Sequence, residues 1–337
     1  MRAVVQTGYG SPSEVLEVRA IDPPSVGNDE VLVRVRAASV HPDVWHVVTG
    51  RPRVLRLMGS GMRRPNDRVP GTDMAGNVEA VGSAVTRFHP GDAVFGETIR
   101  GMQWRNGGAY AEYVAVAEDA LASKPSNVTY EQAATVPTSG LIALYNLPDL
   151  DHWSAGKRVL VNGAGGGVGA IALQLALSAG AHVTAVDHTG KLDLLRRLGA
   201  DRVVDFTTDD VTRDDERYDL VFDVVGNHAF SAYRRVIAAN GTYVLIGHDH
   251  FGTQGRGLLG SIPRMVSLMA RSTVERRLPR PTFTAPDRAR SMARLHDLLE
   301  RGALAPIVDR TFSLDEVPEA IALLASGQAV GRIAIVP

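Results

Sequence analysis

A run of glycines between an apolar segment and a helical pattern constrains this chain more than any other feature. Residues 163–169 read GAGGGVG, in which five of the seven residues are glycine. The apolar run Val159–Val161 comes shortly before them, and a helix-like pattern follows. Amide groups at a helix start are unpaired and partly positive, and glycine lets an anion come close to that backbone. The stretch therefore predicts a site for the pyrophosphate of a dinucleotide.

The spacing of these glycines departs slightly from the usual G-x-G-x-x-G motif. The positions nearest the helix hold Ala164, Gly166 and Gly169. Asp187 ends the next strand-like segment, 18 residues after Gly169, and an acidic residue at about that distance belongs to the motif. The alternative is a tight strand–helix turn that binds nothing. The predicted cofactor contacts in the loop are Gly163, Ala164, Gly165, Gly166, Gly167, Val168 and Gly169.

Composition excludes several classes of protein. The chain has 337 residues, enough for two domains. Its 36 basic and 37 acidic residues nearly balance, so we expect no nucleic-acid partner. The sequence has no apolar stretch of membrane-spanning length, and its start, MRAVVQ, alternates like a strand rather than a signal peptide. Because cysteine is absent, disulfides and thiolate metal sites are excluded, and we expect a soluble cytoplasmic protein without a membrane partner.

Hydrophobic patterning changes near Tyr130. Before it, short alternating runs separated by Gly, Pro and Asp are typical of a small barrel-like β domain. After it, strand and helix patterns alternate, which predicts a doubly wound parallel sheet. We expect helices over Gly167–Ala179, Lys191–Leu198 and Ala229–Ala239. The residues Phe251–Pro286 are rich in Gly, Arg and Pro, and their pattern predicts no element.

Seven segments follow one another in a specific order. They are VPGTDMAGNVEAVG, FHPGDAVFG, GGAYAEYVAV, AATVPTSGLIAL, VLVNGAGGGVGA, LGADRVVDF and APIVDRTFSLDEVPEAIALLASGQAVGRIAIV. In sequence and order they resemble the medium-chain dehydrogenase/reductase superfamily, specifically its zinc-free quinone oxidoreductase-like branch. The resemblance implies an α/β fold with two domains. These are a GroES-like β-barrel domain of residues 1–130 and 284–337, and a Rossmann doubly wound parallel-sheet domain of residues 131–283.

The resemblance also bears on metals. Zinc-dependent relatives hold a catalytic zinc with Cys, His and Cys, and the corresponding positions here are His41, Thr72 and Thr135. One imidazole and two threonines do not make a tetrahedral zinc site, so no metal is expected, although HPDVWH clusters two His and one Asp. Without a Lewis acid to polarise an alcohol oxygen, acceptors that need no metal are favoured, namely quinones or alkenes conjugated to a carbonyl.

The predicted function is therefore that of a zinc-independent, NAD(P)H-dependent oxidoreductase acting on a small enone or quinone. Its active site would lie in the cleft between the domains. Two alternatives stay open: a zinc-free alcohol or ketone oxidoreductase, and a non-redox protein that binds nucleotide on the same scaffold. Members of the family are usually dimers, so a homodimer is expected, joined through the sheet edge near TYVLIG.

Three residues of the β domain are candidates for catalysis. The resemblance places Asp43 where zinc enzymes keep a proton-transfer hydroxyl, and His46 where some keep a relay histidine. Asp43 could instead cap a helical turn, and His46 could be structural. Tyr110 is expected at the rim of the cleft, where it could donate to the substrate oxygen, or else as a half-buried strand tyrosine.

Further residues are predicted to contact the cofactor. The resemblance places Thr138 at the nicotinamide, although it could also cap the helix that begins there. Gly226 and Gly247 end strands of the parallel sheet, where the cofactor would cross the edge, although such glycines also make turns.

Three residues bear on the choice between the two cofactors. Asp187 could hold both ribose hydroxyls of NADH. Lys191 could pair with the 2′-phosphate of NADPH while Thr189 donates to it. The resemblance favours NADPH, with NADH as the alternative. The Arg-rich segments Arg51–Val69 and Phe251–Pro286 are expected to line or cover the cleft.

Overall fold

Three β-sheets form the framework of the part of the chain that the structure describes. A computed structural model describes residues 1–99, 105–147, 155–247, 258–280 and 287–337. Across these ranges, a two-stranded, a seven-stranded and a five-stranded sheet are connected by helices. No helix in the described ranges is both long enough and apolar enough to cross a membrane.

The strands and helices have the following bounds. The strands are β1 (Arg2–Gln6), β2 (Leu16–Ala20), β3 (Glu30–Val40), β4 (Asp73–Val81), β5 (Ala93–Glu97), β6 (Tyr113–Ala117), β7 (Leu121–Ser123), β8 (Arg158–Asn162), β9 (His182–Asp187), β10 (Arg202–Asp205), β11 (Tyr218–Asp223), β12 (Ile237–Leu245), β13 (Val308–Ser313) and β14 (Arg332–Val336). The α-helices are α1 (Pro12–Val15), α2 (Pro42–Thr49), α3 (Tyr130–Ala134), α4 (Pro137–Asn146), α5 (Gly167–Ser178), α6 (Leu192–Arg197), α7 (Phe230–Tyr233), α8 (Ile262–Arg271), α9 (Arg288–Glu300) and α10 (Val317–Ala325).

The seven-stranded sheet is built around β3. Its order is β13-β14-β3-β4-β5-β7, with β6 also paired to β3. Val31, Val33 and Val35 alternate along β3 and are all buried, as expected for a strand with one face toward a core. Two strands from the C-terminal part of the chain thus complete the GroES-like sheet that the N-terminal strands begin.

The five-stranded sheet is parallel throughout, in the order β10-β9-β8-β11-β12. In its central strand β8, Val159, Leu160 and Val161 are all fully buried. Such a continuous apolar run is typical of parallel strands covered on both faces. The predicted α/β fold, with a Rossmann-type parallel sheet beside a GroES-like β domain, is confirmed. The residue limits of the two domains stay a prediction.

The structure differs from the sequence expectation in two elements of the parallel-sheet half. The helix expected over Ala229–Ala239 ends at Tyr233, and Ile237 already belongs to β12. Ile237 is buried and pairs with Tyr218 of β11, so a tertiary pairing overrides the local helical pattern. Helix α8 lies in the stretch for which the pattern predicted no element.

Two of the contacts between the GroES-like half and the parallel-sheet half involve the glycine loop and the Arg-rich segments. The Gly331 amide donates to the Gly165 carbonyl at 2.8 Å, and Gly166 forms an isolated parallel bridge with Gly331. Across the same divide, the Val54 amide donates to the Leu258 carbonyl at 3.2 Å. The described parts of the two Arg-rich segments therefore contact each other.

Candidate active site

The glycine loop turns the chain from β8 into α5. Gly163 has φ +84°, in the left-handed region that favours glycine. A Cβ on Gly167 would overlap the Arg332 side chain, and a Cβ on Gly169 would overlap the carbonyl oxygen of Gly163. At Gly166, the N-cap of α5, a Cβ would meet only that carbonyl oxygen, at 3.6 Å. Open space therefore remains at the helix start, where unpaired amides can bind a pyrophosphate.

The other two predicted residues of the loop are part of its scaffold. The Ala164 amide donates to the Val186 carbonyl at 3.1 Å, which ties the loop to the neighbouring strand β9. The Val168 side chain is buried in the first turn of α5.

Asp187 and Lys191 lie together beside this loop. The Asp187 carboxylate accepts the Gly165 amide at 2.7 Å and the His188 amide at 2.8 Å. The Lys191 Nζ lies 3.6 Å from its Oδ1, and the two side chains are only 11% and 8% exposed. The predicted acid and base thus form one ion pair, which also fixes the position of the loop.

Thr189 lies apart from that pair. Its hydroxyl donates to Asp205 Oδ2 at 2.5 Å and lies 3.3 Å from the Thr207 hydroxyl. Thr189 therefore contacts Asp205 at the end of β10. A role for Thr189 at a 2′-phosphate stays a prediction.

Gly226 and Gly247 follow the ends of β11 and β12, as predicted. Asp223 accepts the Gly226 amide at 2.8 Å, and Arg264 of α8 donates to the Gly226 carbonyl. A Cβ on Gly247 would overlap the Val224 carbonyl, so close backbone packing already explains that glycine.

A buried carboxylate organises this edge of the sheet, and the sequence analysis missed it. Asp223 is fully buried and accepts Asn162 Nδ2 at 2.7 Å and the Tyr243 hydroxyl at 2.7 Å. Polar residues at the ends of two apolar strand runs were the signal that could have indicated it.

A second buried acidic cluster lies at the start of α4. Asp73 of β4 accepts both the Thr138 amide at 2.8 Å and the Thr138 hydroxyl at 2.6 Å through Oδ1. Its Oδ2 lies 3.3 Å from the hydroxyls of Ser39 and Thr72. Glu97, which pairs with Asp73 across the two strands, has its Oε1 3.0 Å from the Thr138 hydroxyl. Burial and the Asp73 charge together raise the pKa of Glu97 to about 7.

Arg332 links both halves of the molecule, and the sequence analysis missed it as well. Its fully buried guanidinium donates to the Ser139 hydroxyl, through Nε at 2.9 Å, and to the Val40 carbonyl at 2.8 Å. The same side chain lies directly against Gly167 of the glycine loop. Arg332 therefore joins β3, α4 and the start of α5.

The HPDVWH segment forms the start of α2. The N-cap is His41, whose Nδ1 accepts the Asp43 amide at 3.2 Å and lies 3.3 Å from the Asp43 carboxylate. The alternative that Asp43 caps this helix does not apply. The ring of His46 is buried, and its Nδ1 lies 2.7 Å from the Arg51 carbonyl.

Tyr110 is not at a rim. It is fully buried, its hydroxyl donates to the Ser39 carbonyl at 3.1 Å, and burial raises its pKa. Neither expectation, an exposed donor or a half-buried strand tyrosine, matches this position. The residue packs in the core of the β domain, and its proton is already used.

The three positions that would hold a catalytic zinc do not provide a ligand set. The Thr72 hydroxyl lies 3.3 Å from Asp73, and the Thr135 hydroxyl donates to the Gln132 carbonyl at 2.7 Å. In the part of the chain that the structure describes, no three His, Asp or Glu side chains are grouped to hold a metal ion.

Comparison with known proteins assigns the family. Residues 27–126 match the alcohol dehydrogenase GroES-like domain, and residues 198–335 match the family described as zinc-binding dehydrogenase. A quinone oxidoreductase from Pseudomonas aeruginosa is 31% identical over 343 residues, covering 98% of this chain and 97% of that protein. The chain belongs to the medium-chain dehydrogenase/reductase superfamily. Threonines at two of the three zinc-ligand positions fit its zinc-free quinone oxidoreductase-like branch.

Two further known proteins are similar over the full length of this chain. An NADPH-dependent alkenal/one oxidoreductase, chloroplastic, from Arabidopsis thaliana is 31% identical, covering 100% of this chain and 80% of that protein. The crystal structure of an NAD-dependent alcohol dehydrogenase matches with a TM-score of 0.81 and 29% identity, covering all of both chains. As a medium-chain dehydrogenase/reductase, this protein is an oxidoreductase.

Proposed function

We propose that this protein transfers a hydride from NADPH to a small quinone or α,β-unsaturated carbonyl compound. The observation that carries the proposal is the open space at Gly166, at the start of α5 and close to the Asp187–Lys191 ion pair. The start of a helix binds a pyrophosphate, and a cation nearby can pair with a ribose phosphate. The named activities of the Arabidopsis and Pseudomonas relatives support this substrate class.

The protein's own part in this reaction is to bind and orient. When bound, the reduced nicotinamide supplies the hydride. The start of α4, to which the resemblance assigns nicotinamide contacts, is fixed from two sides: Asp73 holds Thr138, and Arg332 holds Ser139. A surface fixed in this way limits the orientations of a ring bound against it, which favours a near-attack geometry.

Proton transfer to the reduced substrate is proposed for Asp43 and His46. The Arg51 carbonyl can only accept, so Nδ1 of His46 carries the proton and Nε2 is the acceptor of the neutral ring. Nε2 can therefore take up a proton and give the same proton to the substrate, while the Nδ1 proton stays on the Arg51 carbonyl. Tyr110 is left out of the proposed chemistry because its hydroxyl donates to Ser39 in the core.

The position of the transferred hydrogen tests the proposed reaction. With NADPH deuterated at the transferring position and an enone as acceptor, we expect deuterium on the β-carbon of the product, detected by NMR. The control is the same reaction in deuterated buffer with unlabelled NADPH, which should label only the α-carbon. Deuterium on the carbonyl carbon would contradict the proposal and favour a zinc-free ketone reductase, the candidate that the alcohol dehydrogenase match supports.

The non-redox alternative raised by the sequence is not supported by the comparisons, which show an oxidoreductase. Turnover of enones and quinones in a substrate panel, without turnover of simple ketones, would support the proposed substrate class. The cytoplasmic location stays a prediction, because the Arabidopsis relative is named as chloroplastic.

We also propose a homodimer, and helix α8 favours a particular surface for it. Arg264 and Leu268 lie one turn apart and face the protein, since Arg264 donates to carbonyls beyond β11 and Leu268 packs on the core. Met265, Val266 and Met269 lie on the other side and are 44%, 52% and 46% exposed. This uncharged outward face can pack against its own copy across a two-fold axis without complementary charge.

The sheet edge named in the sequence argument is less suitable for that contact. The Tyr243 amide of β12 donates to the Arg277 carbonyl at 2.7 Å, so this part of the edge is covered by the protein's own chain. Edge strands covered in this way do not add a partner strand there. The proposed dimer surface is therefore the α8 face.

Charge placed on that face should separate the protomers. We expect wild-type protein to sediment as a dimer at micromolar concentration, and the double variant Val266→Glu/Met269→Glu to sediment as a monomer with its fold intact. Burying two glutamates without partners costs several kcal/mol, enough to weaken association more than about a hundredfold. The control is Phe206→Glu, a similarly exposed apolar residue just after β10, which should remain dimeric. A monomeric wild type would contradict the proposal.

A further inference from the structure

We propose that Glu97 is a proton-bearing positioning residue, which acts through Thr138 on the start of α4 and makes cofactor binding depend on pH. The inference rests on the proposed function in one respect, namely that α4 contacts the bound dinucleotide. It concerns a glutamate that no motif in the sequence analysis singled out.

The Thr138 hydroxyl lies between the carboxyl groups of Asp73 and Glu97. The Thr138 hydroxyl has a single hydrogen, yet it lies 2.6 Å from Asp73 Oδ1 and 3.0 Å from Glu97 Oε1. One hydrogen shared between two carboxylates would give two weaker bonds and leave two negative charges beside one hydroxyl. Both contacts are satisfied when either Asp73 or Glu97 is protonated and donates to the hydroxyl oxygen.

The surroundings of Asp73 and Glu97 identify which of the two carboxyl groups carries the proton. Asp73 also accepts the Thr138 amide at 2.8 Å and lies 3.3 Å from the hydroxyls of Ser39 and Thr72. Several donors stabilise the anionic form, so Asp73 is the carboxylate. In the described ranges, the hydrogen bond found for the Glu97 side chain is the one with Thr138. The chain of donation therefore runs from the Glu97 carboxyl to Thr138 and on to Asp73.

The charges around Glu97 agree with this assignment. Asp73 on the paired strand and Asp43 of α2 both disfavour a second negative charge. Arg288 of α9 favours it, but its guanidinium donates to Asp119 at 2.7 Å and to the Ile99 carbonyl at 2.9 Å. Tyr145 of α4 also faces the group and is neutral near pH 7. Burial has the largest effect and the Asp73 charge adds to it, so the pKa of Glu97 is raised to about 7.

Loss of the Glu97 proton would change the contacts at the start of α4. Above pH 7, two carboxylates would flank one hydroxyl, and the contact between Glu97 and Thr138 would be lost. Thr138 is the neighbour of Ser139, which Arg332 holds against the base of the glycine loop. Loosening the start of α4 should therefore weaken dinucleotide binding at alkaline pH.

The test measures the Kd of NADPH, by its fluorescence, between pH 6 and pH 9. For wild type we expect affinity to fall about tenfold as pH rises through 7, as loss of one neutral hydrogen bond and the added charge repulsion imply. Glu97→Gln keeps a neutral donor toward Thr138, so it should bind like wild type at pH 6 and change less than about threefold by pH 9. The control is Glu79→Gln, an exposed residue of β4, which should keep the wild-type pH dependence.

A second readout does not involve the cofactor. The infrared carbonyl band of a protonated carboxyl group should be present in the unliganded wild type at pH 6, disappear above pH 7 and be missing in Glu97→Gln. A Glu97→Gln variant with wild-type pH dependence, or a wild type without that band, would overturn the role of Glu97. If NADPH bound to no variant at any pH, the proposed function would fail, and the infrared band would still decide whether Glu97 holds the proton.

Discussion

Replacing Gly166 with alanine is expected to weaken dinucleotide binding at least about tenfold while costing at most about 1 kcal/mol of stability. The added methyl group meets nothing closer than the Gly163 carbonyl at 3.6 Å, and φ −92° with ψ 175° suits any residue. The methyl group should instead weaken ligand binding, because it occupies the space through which a pyrophosphate approaches the first amides of α5. Isothermal titration with NADPH and NADH, together with thermal unfolding of the unliganded protein, measures both effects.

Gly169→Ala is the matched control for that experiment. The same methyl group at this position would overlap the Gly163 carbonyl oxygen, so α5 must shift away from the turn. We expect a loss of about 1–3 kcal/mol in the free energy of unfolding, without any ligand present. If Gly166→Ala bound both dinucleotides as tightly as wild type, the pyrophosphate would not lie at the start of α5.

Replacing Lys191 with alanine should weaken NADPH about tenfold or more and NADH much less, because only NADPH carries the 2′-phosphate. In the structure this ammonium group lies 3.6 Å from Asp187 and is nearly buried, so removing it leaves the carboxylate to repel the phosphate. Fluorescence titration with both cofactors measures the ratio of the two dissociation constants.

Replacing Asp187 is the reciprocal test, but Asp187 also holds the glycine loop through the Gly165 amide. Asp187→Ala should weaken NADH while sparing NADPH, but it also removes the acceptor of the Gly165 amide. Asp187→Asn keeps an acceptor oxygen and removes the charge, so it isolates the electrostatic effect. If wild type already preferred NADH tenfold and Lys191→Ala changed neither cofactor, the role of Lys191 at the phosphate would be wrong.

Local pattern was enough to predict the glycine turn and the class of the two larger sheets. The turn from β8 into α5 is specified by neighbouring residues, since an apolar strand, a glycine run and a helix adjoin in the sequence. Asp187 and Lys191 were likewise predicted as site residues from local spacing, with only three residues between them, but their ion pair with each other was not predicted. Features formed by residues close in the chain depend on spacing along it, and that spacing can be read directly from the sequence.

Features that depend on distant contacts could not be predicted in the same way. Arg332 reaches Ser139, 193 positions earlier in the chain, and Thr138 meets Asp73, 65 positions away. Such pairs form only when separate elements pack, so the local sequence around one residue does not indicate its partner. Burial acts similarly on Tyr110, whose neighbours in the sequence do not reveal that its hydroxyl is enclosed.

The position of Arg332 has a consequence for synthesis of the chain. The glycine loop is complete by residue 169, but the guanidinium that lies against it and joins it to α4 is added 163 residues later. At translation rates of about 5–20 residues per second, Arg332 is added roughly 10–30 s after the glycine loop is complete. The GroES-like sheet waits for the same strand, because β14 pairs with β3. The Arg332 contacts of the glycine loop and the pairing of β14 with β3 therefore both form only after residue 332 has left the ribosome.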